Sequence, residues 1–284
     1  MSILIHIKNS LKDPIKIAQF LLALFAVIYL VLLADDFFVF KIPILVGGLV
    51  FWIIDYKKRA FPVLWLTILV LLIIDVIGSY FWVANHHFLL CFMVLSMITF
   101  FYHKRSSILF VNIQTLVVIV LLLSVFQKLF SSQFISGNFY YHDINQGAMF
   151  RPLFYLFPDS LEIANQNVDN IKKLKESDPN LEHSIAVIDI VPNLRIMTVI
   201  YAWLTILVEA IVALFLIWKP RSTWTHLFLI IMICGILFTK LETGFMSLLA
   251  ICGLFLCTSL KQKLIYIAIL MVCILIIMAK MGYH

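Results

Sequence analysis

The chain has 284 residues, 63% of them hydrophobic and only 13% charged, with a mean hydropathy of +1.07. A soluble domain is nearer half apolar and a quarter charged, so the composition excludes one and reads as an integral membrane protein, a single membrane domain over residues 1–284 whose first partner is the lipid bilayer. The formal net charge of +6 sits in short loops rather than on a soluble face, which argues against a nucleic-acid partner and for anionic lipid headgroups.

In chain order, Met1–Lys16 mixes apolar residues with cations, as an interfacial helix on the cytoplasmic face would. Hydrophobic stretches follow at 17–34, 37–54, 61–82, 88–102, 107–129, 196–218, 224–239, 244–260 and 264–280. They predict an all-α, polytopic helical membrane protein with about nine transmembrane helices. A crossing needs about 20 apolar residues, so the shorter stretches must tilt or borrow flanking aromatics. The first stretch runs into Ala34-Asp35-Asp36 without a small-x-small site and reads as a retained anchor rather than a cleaved signal. The second carries Lys41, Pro43 and Gly47-Gly48; it is kept as a span because the loop charges alternate only if it crosses.

That alternation sets orientation. Lys57-Lys58-Arg59, His103-Lys104-Arg105, Lys219-Pro220-Arg221 and Lys261-Gln262-Lys263 form one set of loops. Asp35-Asp36, Asn85-His86-His87, a long polar segment and Lys240-Leu241-Glu242 form the other. Lys and Arg stay on the cytoplasmic side during insertion. The N-terminus is therefore expected in the cytoplasm and residues 130–195, between the fifth and sixth spans, on the exoplasmic face. A multi-pass protein of the cell membrane is implied, and the compact form favours a bacterial inner membrane. The five cysteines (Cys91, Cys234, Cys252, Cys257, Cys273) lie inside hydrophobic stretches without a C-x-x-C and read as small packing residues.

Segment 130–195 is too long for a turn, and connections of that length are usually functional or disordered. Its first half is rich in Phe and Tyr and is expected to fold back against the bilayer. Its second half reads as a short amphipathic surface helix. Asp159 would cap it, with Glu162 completing a capping box. Leu161, Ala164, Val168, Ile171 and Leu174 would form the apolar face, and Asp178-Pro179 the stop.

Ionisable groups inside spans need a partner or a wet cavity. Asp75 in the third span reads equally as a buried structural acid or as part of a substrate-binding site. Glu209 in the sixth reads as half of a structural ion pair. Lys240 and Glu242 sit at a span boundary, where snorkelling explains them. Asn85, His86 and His87, just before the fourth span, read either as a polar helix start at the interface or as groups able to donate, accept or bind substrate. Adjacent histidines on a helix point about 100° apart, so no metal site is expected. Lys128 at the end of the fifth span is either a snorkelling lysine or a desolvated amine able to take a proton. His142 could join the same exoplasmic, substrate-binding group.

Three elements in order carry a resemblance. Asn85-His86-His87-Phe88-Leu89 is similar to an N-H-x-aromatic-L helix start. Gln127-Lys128-Leu129 is followed by Phe134 and Gly137, similar to a K-L, an aromatic and a glycine. Glu209, followed by Lys219-Pro220-Arg221, is similar to an acid in a span before a basic turn. Over roughly residues 60 to 260 the chain resembles the membrane domain of vitamin K-dependent gamma-carboxylase and its bacterial relatives, the horizontally transferred transmembrane (HTTM) family. The resemblance implies an exoplasmic active site with oxygen-dependent chemistry on a reduced quinone. Lys128 is then a catalytic, proton-handling amine and His86 a catalytic acid–base or positioning group. The chain departs from the family in having no histidine over Leu227–Phe238, after His226, and in ending at His284 without the large exoplasmic substrate domain. The cofactor stays open on the residues alone.

Two functions follow. One is a membrane-embedded enzyme acting on a lipid-soluble or exported substrate at an exoplasmic polar site. The other is a non-catalytic membrane protein: an export or maturation partner, a transporter subunit or a peptide receptor.

Overall fold

A computed structural model describes residues 14–33, 38–54, 61–78, 84–177 and 185–279. Most of the interfacial helix expected over Met1–Lys16 lies outside them. So do Asp35-Asp36, Lys57-Lys58-Arg59, the end of the third stretch at 79–82 and the helix stop expected at Asp178-Pro179. Among the described residues every regular element is helical. α1 (Pro14–Ile28) runs into a π-helical turn, Tyr29–Leu33; α2 (Phe38–Ile54), α3 (Phe61–Gly78), α4 (Asn85–His103) and α5 (Ser106–Phe130) follow. Four helices lie within the long segment: α6 (Ser132–Ile135), α7 (Asn138–Asn145), α8 (Arg151–Phe154) and α9 (Pro158–Glu176). α10 (Leu194–Trp218), α11 (Thr223–Lys240), α12 (Thr243–Leu256) and α13 (Leu260–Met278) complete the chain.

Each predicted span overlaps a helix, with residues 34, 37, 79–82 and 280 outside the described ones. Six apolar stretches are long enough to cross a membrane: Ile15–Leu32, Asn85–His103, Ser106–Phe130, Leu194–Trp218, Thr223–Lys240 and Leu260–Met278. Val39–Val50, Val63–Gly78 and Thr243–Leu256 are apolar but shorter. α12 has 14 residues, about 21 Å of helix against roughly 30 Å of hydrocarbon.

The residues group into two compact units. The first takes the chain to Val120, Val212–Cys234 and everything from Glu242; the second takes Leu121–Ile211 and Gly235–Leu241. In the first unit every residue of α12 except the half-buried Phe245 is buried; the helix packs on α13, α1 and α4, while α3 packs on α2, α4 and α1. A helix that is apolar all round belongs inside. Gly253 of α12 makes one contact possible, since a Cβ there would stand 2.4 Å from Cζ of Tyr266. That ring occupies the space a side chain at 253 would need.

The second unit has its own core of Val125, Phe134, Tyr140, Ile144, Met149, Phe154, Ala164, Ile190, Leu194, Ala202 and Ile206. The aromatic half of the long segment turns several of its rings inward, into this core. Burial of that aromatic area against α5 and α10 stabilises the unit.

The surface helix is present as α9, but its start differs. Pro158 occupies the first turn, Phe157 is the N-cap residue, and no side chain caps the end. Proline lacks the N–H that a helix start leaves unbonded, so it takes that place and Asp159 falls inside the first turn instead of capping. The buried face also rotates: Ala164 and Asn167 are buried whereas Val168 and Leu174 are exposed.

Asn167 is the tie of this unit. Its amide nitrogen donates to Asn145 O (3.0 Å) and Ile188 O (2.9 Å), and its Oδ1 accepts from Ile188 N at 2.9 Å. Asn145 Oδ1 accepts from Ile190 N at 3.1 Å. Two fully buried amides thus supply the backbone partners that the non-helical stretch around 185–190 would otherwise lack.

Candidate functional site

Each unit contains a polar cluster with candidate residues in it, and these residues divide between the two. His86, Asn85, His87 and Asp75 belong to the first unit; Lys128, Glu209 and His142 belong to the second.

In the first unit Lys41 of α2 forms an ion pair with Asp75 of α3. Both residues are nearly sealed, 2% and 3% exposed. A charge among apolar helices needs a partner, and the pairing explains how a lysine is tolerated within α2 and an acid within α3. Asp75 is also within electrostatic reach of Tyr29, His87 and Cys91.

His87 of α4 uses both ring nitrogens. Nδ1 is 3.0 Å from the Tyr29 hydroxyl and Nε2 is 2.9 Å from Leu72 O. A carbonyl only accepts, so Nε2 carries the proton and donates; a neutral ring then accepts from the Tyr29 hydroxyl at Nδ1. Tyr29 itself opens the π-helical turn, an irregularity frequent at functional sites.

His86 is half-buried. Its ring meets Tyr29 edge-on at 5.6 Å, and a Cβ on Gly244 would stand 3.1 Å from its Nε2. His87 is locked by its two hydrogen bonds, and His86 meets the edge of the same Tyr29 ring. Asn85 is the exposed first residue of α4, and the helix has no side-chain cap.

In the second unit Lys128 of α5 pairs with Glu209 of α10. Lys128 Nζ also donates to Ser124 Oγ (3.0 Å), and Ser124 Oγ donates to the other Glu209 oxygen at 3.1 Å. The three groups close a triangle. Phe134 covers it, its ring centroid 5.5 Å from the amine. The loop that delivers Phe134 lies directly on α10 at Gly137 (φ +74), where a Cβ would stand 2.6 Å from Val199 N. Both the left-handed conformation and the close approach require glycine there.

Lys128, Phe134 and Glu209 therefore meet, with Gly137 setting the approach. His142 does not join them: it is exposed on α7, its contacts being Gln146 and, at 3.9 Å, Asp143. Sequence reasoning missed Tyr29, Ser124 and the role of Lys41 as the partner of Asp75. Ser124 carries a usable signal, since a residue four before a lysine shares its helix face. Tyr29 carries none.

Outside the spans, the Tyr141 hydroxyl donates to Asp189. That hydrogen bond, with a smaller effect of burial, holds the phenol above its ordinary range.

Among the described residues no three His, Cys, Asp or Glu side chains gather as a metal site would require. The reduced quinone implied by the resemblance finds a poor donor set. The Lys128 amine is engaged by Glu209 and Ser124. Leu227–Phe238 contains no histidine, and the neighbouring His226 has Nδ1 3.0 Å from the Tyr266 hydroxyl. No step is derived through a quinone. No family model matches the chain, nor does any curated protein or solved structure.

Proposed function

We propose that this chain is a compact HTTM-like membrane protein with nine spans and a cytoplasmic N-terminus. In this reading it is an enzyme whose exoplasmic acid–base site acts on a lipid-soluble or exported substrate. The observation that carries the reading is the convergence of Lys128, Ser124, Phe134 and Glu209. Lys128, Phe134 and Glu209 come from two separate elements of the resemblance, and Gly137 brings them close. A carboxylate, a hydroxyl and an amine in one triangle can pass a proton among themselves, with Glu209 as acceptor and Lys128 as donor. His86 serves in the first unit as a second acid–base or positioning group. The alternation of loop cations supports the orientation.

The test compares exported proteins and membrane lipids by mass spectrometry. Cells carry the wild type, Lys128→Ala, Glu209→Gln or His86→Ala at matched protein levels. The expected result is a mass change made by the wild type and missing in the variants. Identical spectra at matched levels would overturn the enzyme and leave the non-catalytic reading. That alternative has its own support in the buried Asn145 and Asn167 amides, which hold a non-helical backbone of this chain by the kind of contacts a peptide receptor uses.

A further inference from the structure

Large apolar residues of the long segment mostly enter the core of the second unit: Phe134, Tyr140, Ile144, Met149 and Phe154 are all buried. Three consecutive residues do the opposite. Tyr155, Leu156 and Phe157, between α8 and α9, are 64%, 70% and 59% exposed. A water-facing loop does not gather three such side chains without a partner.

The position of the triplet says which partner. Phe150 N donates to Thr239 O at 2.7 Å, and the Phe150 ring packs on Tyr201 at 5.9 Å and Phe238 at 6.4 Å. Thr239 is the penultimate residue of α11, an apolar helix of 18 residues. Such a helix is about 27 Å long against roughly 30 Å of hydrocarbon, so its end lies at a membrane boundary. From Phe150 the chain advances only through α8, four residues rising about 6 Å. The triplet therefore lies within roughly 10 Å of that boundary, and the headgroup layer is itself about 5–8 Å deep. Aromatic rings with an aliphatic neighbour suit that layer, and exposed Arg151, one turn earlier, suits its phosphates. Beyond Pro158 the exposed face of α9 carries Glu162, Gln166, Asp169, Lys172 and Lys173, which suits water.

We infer that Tyr155-Leu156-Phe157 is an interfacial wedge seated among phospholipid headgroups and upper acyl chains, anchoring the 130–195 segment to the bilayer. The inference rests on the protein being in a membrane. It needs neither the enzymatic reading nor a choice of leaflet.

The test places the photoreactive residue benzoylphenylalanine at position 156, and separately at Lys172 as a water-facing control. The full-length protein is reconstituted in nanodiscs of phosphatidylethanolamine and phosphatidylglycerol. After irradiation, phospholipid adducts at position 156 are expected to exceed those at 172 several-fold. The same label at Tyr155 serves as a second reporter should the first variant fail to fold. Equal lipid yields at 156 and 172, or adducts at 156 formed with another protein chain in place of lipid, would overturn the wedge.

Discussion

Two interhelical ion pairs among the described residues share a chemistry and differ in depth. Lys41 and Asp75 have side chains 3% and 4% exposed. In the other pair Lys128 is 19% exposed and Glu209 6%. A sealed pair fixes helices together, because separating it strands a charge in apolar surroundings. A pair with one edge open can also exchange a proton with something that reaches it. The difference separates a device that makes α2 and α3 compatible with their setting from a site that could do chemistry, though the sequence leaves Asp75 and Lys128 each open between a structural and a functional reading.

The comparison breaks first at the sealed pair. Lys41→Leu or Asp75→Leu alone is expected to lower stability by about 3–5 kcal/mol by leaving one buried charge unmatched. Lys41→Leu with Asp75→Leu should return close to wild type. Thermal unfolding in detergent reads all three, and single variants as stable as the wild type would remove the distinction.

Gly137→Ala attacks the cover of the open pair. A side chain at φ +74 meets the backbone of Thr198 and Val199, so neither neighbour can turn aside. Left-handed strain and overpacking together should cost about 2–4 kcal/mol. Limited proteolysis within 130–195 should accelerate, while Gly47→Ala, whose Cβ would meet nothing within 4 Å, should not change it.

Lys128→Met sharpens the contrast directly. Glu209 keeps its hydrogen bond from Ser124, and Lys128 already reaches solvent, so the loss should be smaller than at Lys41, about 1–3 kcal/mol. A loss equal to that of Lys41→Leu would mean that both pairs are structural and weaken the case for chemistry at Lys128.

Helices were legible because apolar runs of this length have few other uses, and every expected span overlaps one. The start of α9 was misjudged because Asp159 is a good cap and Pro158 a better first residue; the two rules compete at adjacent positions. The partnerships were mostly illegible. Lys128 and Glu209 are 81 residues apart, and Tyr29 and His87 are 58 apart. No local periodicity links such positions. Asn145 and Asn167 were hidden for a further reason: an asparagine looks like a surface residue until the backbone it must satisfy is known. What the sequence could carry was the order of short motifs, and that order is why Lys128, Phe134, Gly137 and Glu209 were singled out before their contacts were known.

The weakest contact in the series offers the clearest pH signature. Tyr141, on α7 outside the spans, donates to Asp189, and the hydrogen bond, with the carboxylate's charge, raises the phenol above its ordinary value of 10.0. The folded protein thus keeps this proton at pH values where the unfolded chain has lost it. The stabilisation is complete below about pH 10 and fades as pH climbs through the folded value. Tyr141→Phe should cost about 0.5–1.5 kcal/mol at neutral pH, the lower end applying because the pair meets water. The gap between wild type and variant should then shrink on going from about pH 8 to about pH 11, as wild type alone loses stability through this group. Paired unfolding curves at the two pH values decide it. A gap that stays constant would mean the Asp189 contact does not hold the proton, and that the stretch around 185–190 is fixed by Asn145 and Asn167 without help from Tyr141.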